Sequence, residues 1–195
     1  MPFRSGSSDE DGGNPANIAA SGASNPIQRD ALAAEKIACV SLRELFLPVL
    51  GNWTGLEQQA ASAWGPAVTA RAMIVFKLDV GDQVVVQDYR RVRADHKEFS
   101  GHGVFMIDRT DWAPPTLRTP ILWWFFDSEG DPPQPARGSW HQDELTLEKI
   151  TPRGVAEHRF ALVGGQLSYR IRLGLGGAAE LEDFLSGSYR RISGH

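Results

Sequence analysis

A single cysteine, Cys39, in 195 residues rules out an internal disulfide and a cysteine-built zinc centre, and makes a reducing compartment, the cytoplasm, the expected location. Positive charge is also short. Twenty Lys and Arg against 24 Asp and Glu leave a formal net charge of -4, whereas nucleic-acid binders carry a basic face. Arg90, Arg91 and Arg93 do cluster, and read most simply as a solvated strand end. No apolar run reaches membrane-spanning length, and no apolar stretch follows Arg4 near the N-terminus, so neither insertion nor export is expected. The sequence contains no Gly-x-Ser-x-Gly, no His-Glu-x-x-His and no Gly-x-x-x-x-Gly-Lys, which removes the common hydrolase, zincin and phosphate-loop signatures. Neither a metal nor a cofactor is expected.

What is present changes character twice along the chain. Met1 to Arg29 is Ser, Gly, Asn, Asp, Pro and Ala with almost no large apolar residue, so ordering it would return too little burial, and a disordered tail is expected. From Asp30 to Leu50 the residues Ala34, Ile37, Ala38, Leu42, Leu45, Phe46 and Val49 fall largely three and four apart, the face of an amphipathic helix that Gly51 would end. Beyond Gly51 the helical period gives way to short apolar runs. They are separated by turn signals such as Val80-Gly81-Asp82, Pro152-Arg153-Gly154 and Gly164-Gly165.

Ten strands are expected, near Trp53–Gln59, Thr69–Leu78, Gln83–Val92, Phe99–Ile107, Ile121–Asp127, Ala136–Trp140, Glu144–Ile150, Val155–Leu162, Gln166–Leu173 and Asp183–Ile192. The fifth organises the rest. Ile121 to Phe126 is apolar on both parities, so both of its faces call for cover. Short strands joined mostly by tight turns imply an all-β, up-and-down antiparallel barrel, one domain from residue 30 onward. About eight strands are already enough to hold one small ligand. The insertion Asp108 to Thr119 reads as a loop, a candidate cover for a barrel mouth.

Several short motifs stand in order along this region: Leu50-Gly-Asn-Trp-Thr-Gly55, Gln87-Asp-Tyr-Arg90, Gly101-His-Gly103, Phe126-Asp-Ser-Glu-Gly130, Gly138-Ser-Trp140 and Gly187-Ser-Tyr-Arg190. Over roughly Leu42 to Ile192 the chain resembles the bacterial lipocalin-like barrels catalogued as a domain of unknown function, family fifteen-seventy-nine. That resemblance implies a calycin-type barrel and no established chemistry. More distantly the chain is similar to the nitrobindins, haem-binding barrels that also begin with Gly-x-Trp-x-Gly after a short helix. Their iron is held by a histidine near the C-terminal strand, where this sequence has Asp183-Phe-Leu-Ser-Gly-Ser-Tyr-Arg190 and no histidine before His195, so haem is not carried over.

The residues themselves suggest where a ligand would sit. Trp53 between Gly51 and Gly55 reads as a plug for a closed barrel end, packing being the commoner role of a buried aromatic. Gly101 and Gly103 open space on one strand face, for a ligand or for a neighbouring ring. His102 on the other face is a candidate cavity acid or base, or a satisfied core histidine. In the hairpin about Gly164-Gly165, Arg159 and Arg172 would bind an anionic head group if the polar faces turned inward, and would be solvated if they turned out. Asp127 is a candidate base at a strand end, although Asp before Ser-Glu-Gly is also turn chemistry. The candidate ligand-binding set is Tyr89, His102, Trp124, Arg159 and Tyr169, and the expected occupant a small, largely apolar or amphipathic molecule. The alternatives are a small isomerase or hydrolase using the same cavity, with His102 or Asp127 as base, and an interaction scaffold. A homodimer is compatible with either.

Overall fold

A computed structural model describes residues 40–62, 65–109, 120–130, 132–176 and 180–192. The expected disordered tail, the first part of the expected helix and most of the insertion before the fifth strand lie outside the described residues. Within them the helix is α1, Leu42–Phe46, started by a capping box in which Ser41 and Glu44 satisfy each other's backbone N–H groups.

Ten strands follow: β1 Gly51–Gln59, β2 Val68–Asp79, β3 Val84–Arg93, β4 Glu98–Ile107, β5 Pro120–Asp127, β6 Ala136–His141, β7 Glu144–Thr151, β8 Gly154–Val163, β9 Gln166–Leu175 and β10 Glu182–Ile192. Each pairs antiparallel with its chain neighbour, and β1 pairs with β10, so the sheet closes as an up-and-down barrel with no free edge. Its closing seam depends on glycine. A Cβ on Gly55 would lie 2.0 Å from the Ser188 carbonyl oxygen across the β1–β10 pair.

Period-two alternation assigns every strand an inner face. Trp53 and Glu57, Ile74 and Phe76, Val85 and Tyr89, Phe105, Ile121 and Trp123, Leu145 and Leu147, Phe160, Leu167 and Tyr169, and Tyr189 all point inward and are buried. The helix caps one end of this interior. Phe46 stands 5.0 Å from Phe105 and 5.4 Å from Trp140, ring centre to ring centre. Trp53 is 1% exposed and donates its indole N–H to the Val49 carbonyl at 2.7 Å. Arg191 lies 4.5 Å over the Trp53 ring and donates to the Pro48 and Leu50 carbonyls, tying the helix exit to the last strand.

The outer side of β5 is less covered than its sequence suggested. Leu122 is 9% exposed, Trp124 is half-buried and Phe126 is 48% exposed.

Candidate functional site

The end of the barrel away from α1 is built differently from the capped end. Most inward-facing side chains near the helix are buried, although Leu78, Ile107 and Leu162 keep some accessible surface. Those at the far end, Arg91 and Arg93 on β3, Phe99 on β4, Phe125 on β5, His158 on β8 and Ile171 on β9, keep accessible surface although they face into the tube. With no described element covering it, this end is the candidate mouth of the barrel.

A polar cluster sits just below the mouth. Glu57 is 1% exposed, and its carboxylate accepts hydrogen bonds from the Tyr89 hydroxyl at 2.6 Å and from the Tyr189 hydroxyl. Burial raises the Glu57 pKa above its ordinary value, opposed by the two hydroxyls and by the nearby Arg91 charge. Burial and the Glu57 charge push Tyr89, Tyr169 and Tyr189 well above the usual phenol range. These are the three tyrosines of the chain, all drawn to one place.

His158 completes the cluster. Its Nδ1 lies 2.9 Å from the Tyr169 hydroxyl, and its ring meets Trp123 edge-on at 4.8 Å. Burial, helped by the Lys149 charge, pushes the imidazole down to about 3, so it is neutral in the folded protein. The unfolded chain takes up that proton near the ordinary value of 6.5, so the stability His158 contributes is present above about pH 6.5 and lost as the pH falls toward 3. His158→Gln should therefore lose less stability than wild type on acidification from pH 6.5, read as urea midpoints along a pH series. Equal losses in the two proteins would place the ring in solvent.

Aromatic rings fill the space left by the glycines of β4. A Cβ on Gly101 would lie 2.1 Å from the Phe125 ring, and one on Gly103 would lie 2.5 Å from Trp123 Nε1 and 2.6 Å from Gln87 Oε1. Those last two atoms are buried without a hydrogen-bond partner.

Of the five residues expected to line a ligand site, Tyr89 and Tyr169 are in the interior. The other three are not, because the inward parity is the opposite one. Trp124 lies on the outer face, and Trp123 is the inward member of the pair. His102 is outside as well: its side chain is 51% exposed and its Nδ1 is 2.9 Å from Asp88, whose carboxyl is held below the usual range by Lys77 and His102. Arg159 faces out and pairs with Glu157 through two bonds of 2.9 and 3.1 Å. Arg172 pairs with Glu157 at 3.5 Å and donates to the Leu181 carbonyl. Asp127 caps its own turn by accepting from the Glu129 and Gly130 N–H groups. Reading Arg90, Arg91 and Arg93 as one solvated end needs correction too. Arg90 is outside in a two-point pair with Glu98, whereas Arg91 and Arg93 alternate inward.

Glu57, Tyr189 and His158 were missed as site residues. Glu57 was within reach, since it stands four residues from Trp53 on the same strand and shares the plug's face. Among the described residues no three His, Cys, Asp or Glu side chains converge as a metal site would require, and no helix is long and apolar enough to cross a membrane. A surface groove of about 560 Å³ runs over the β1–β10 seam past Thr54, Leu56, Gln58 and Ser188, but no carboxylate or histidine lines it.

No family model and no curated protein matches the chain. Among solved structures it is similar to the crystal structure of Rv2717c from M. tuberculosis, at 18% identity and a TM-score of 0.60, over 79% of this chain and 99% of that one. It also aligns with EF1p2_mFAP2b bound to DFHBI, at 10% identity and a TM-score of 0.40, over 78% of this chain and 100% of that one. A fluorescence-activating β-barrel of de novo design aligns at 13% identity and a TM-score of 0.34, over 75% of this chain and 95% of that one. What the first of these likenesses supports is the architecture, a closed antiparallel barrel of ten strands.

Proposed function

We propose that this chain is a binding protein for a small, largely apolar molecule that enters the barrel at the end opposite α1 and is oriented by the Glu57, Tyr89, Tyr169, Tyr189 and His158 cluster. The carrying observation is the contrast between the two ends. One is covered by the helix, where Phe46 packs against Phe105 and Trp140, whereas at the other, which no described element covers, inward-facing Phe99, Phe125, Ile171 and His158 keep accessible surface around buried polar groups. Apolar walls with a few convergent polar atoms are the usual make-up of a small-molecule site. The motif resemblance to the bacterial lipocalin-like family and a cytoplasmic location belong to the same proposal.

The test is a thermal-shift and tryptophan-fluorescence screen against fatty acids, haem and aromatic acids. At least one class should raise the midpoint with concentration, and His158→Trp, which narrows the mouth, should abolish the shift. If no class stabilises the protein, the reading fails.

The second reading is proton-transfer catalysis in the same place. It no longer rests on His102 or Asp127 but on Glu57, a buried carboxyl with a raised pKa, the kind of group general acid–base catalysis uses.

A further inference from the structure

The inner wall at the mouth carries charges of both signs, and one of its cations has no ion-pair partner among the described residues. Arg91, Arg93 and Lys149 share the inward parity of their strands, and so do the carboxylates Glu57, Asp127 and, at the rim, Glu182. Asp127 is occupied by its own turn, and Glu57 already accepts from two tyrosine hydroxyls. Arg93 is paired with Asp95 at 3.1 Å. Arg91 differs from the other inward arginines. It makes no ion pair with any described residue and its guanidinium lies 5.2 Å over the Phe99 ring, while its Nε, like that of Arg93, is buried without a hydrogen-bond partner. Its charge is close enough to act on Glu57, Tyr89 and Tyr169.

A guanidinium held against an aromatic ring, with its Nε out of water, is a planar, permanently charged fork whose matching partner is a carboxylate. At a half-buried position a pairing anion would relieve part of the cost of taking that charge out of water. The apolar surface beside it, Phe99, Phe125 and Ile171, would take the body of the same molecule.

Resting on the ligand-binding reading above, we infer that the occupant is an anion: a small molecule with an aromatic or aliphatic body and one carboxylate, which pairs with Arg91 at the mouth. The polar anchor foreseen for such a head group at Arg159 and Arg172 is therefore moved from the outer face of β8 and β9 to the inner face of β3.

The experiment uses two probes of one shape and different charge, 2-naphthoate and 2-naphthamide, titrated by tryptophan fluorescence into wild type, Arg91→Met, Arg91→Lys and Arg90→Met. Methionine keeps much of the apolar stem of arginine, and Arg90 is exposed on the outer face, so it serves as the control. Wild type should bind the carboxylate at least about tenfold more tightly than the amide, as a charge-assisted bond in a partly buried site allows. Arg91→Met should bring the ratio close to one, Arg91→Lys should keep part of it, and Arg90→Met should leave it unchanged. Equal binding of both probes by wild type overturns the anion inference and leaves the binding reading standing, as does a preference that survives in Arg91→Met. Failure of both probes to bind wild type, together with an empty ligand screen, overturns both.

Discussion

Trp53→Ala should cost the protein about 3–5 kcal/mol, the range for deleting a large aromatic from a packed core. Trp53 is 1% exposed. Two pieces of chain meet on its indole: the helix exit, whose Val49 carbonyl accepts its N–H, and the last strand, whose Arg191 lies over its face and ties that exit down through the Pro48 and Leu50 carbonyls. Removing the ring leaves a cavity beneath α1, takes away the surface on which Arg191 rests, and frees one carbonyl. Trp53→Phe retains most of the apolar area but loses the hydrogen bond, so it should fall well short of the alanine cost, with about 1 kcal/mol attributable to that bond. Urea unfolding followed by circular dichroism measures both. An alanine cost of only about 0.5 kcal/mol, that of an ordinary surface change, would mean that Trp53 does not plug this end.

Strand placement was readable because its signals are local. Each of the ten expected strands has its counterpart, with boundaries displaced by at most two residues, since the Gly, Asp and Pro punctuation acts within a few residues of each turn. Strand parity was harder to read. In Ile121 to Phe126 the adjacent Trp123 and Trp124 are chemically identical, and only register with β4 and closure against distant strands send Trp123 inward beside Phe105 and leave Trp124 outside. Gly101-His102-Gly103 hides its logic in the same way. The glycines are the inward residues, and what fills them, Phe125 and Trp123, comes from the next strand. The polar centre was least readable of all, because a lone glutamate in Leu56-Glu57-Gln58 looks solvated unless its strand is first anchored by Trp53. Tyr189 reaches Glu57 only through the β1–β10 closure, across 132 positions of sequence.

The same cluster supplies the second large effect. Tyr89→Phe and Tyr189→Phe should each cost about 1.5–3 kcal/mol at pH values where Glu57 is ionised, the range for a hydrogen bond to a charged partner, because each leaves a buried carboxylate short of a donor. The cost should shrink in acid. Burial raises the folded-state pKa of Glu57 above the 4.5 of an unfolded glutamate, so the folded protein keeps its proton over an interval in which the unfolded chain has released it. The stability Glu57 contributes is therefore complete below about pH 4.5 and is lost as the pH rises through the folded-state value. Glu57→Gln has no proton to lose, and its amide can donate to one tyrosine oxygen while accepting from the other hydroxyl. The stability of wild type minus that of Glu57→Gln should thus decline as pH rises from about 4.5, isolating this group from the exposed carboxylates. Both hydroxyls favour the charged form, so the Tyr89→Phe, Tyr189→Phe double variant should lose stability more steeply over the same interval. A difference between wild type and Glu57→Gln that stays flat, or that grows as pH rises, would place Glu57 in a solvated, freely ionised setting and remove the polar centre on which the binding site is built.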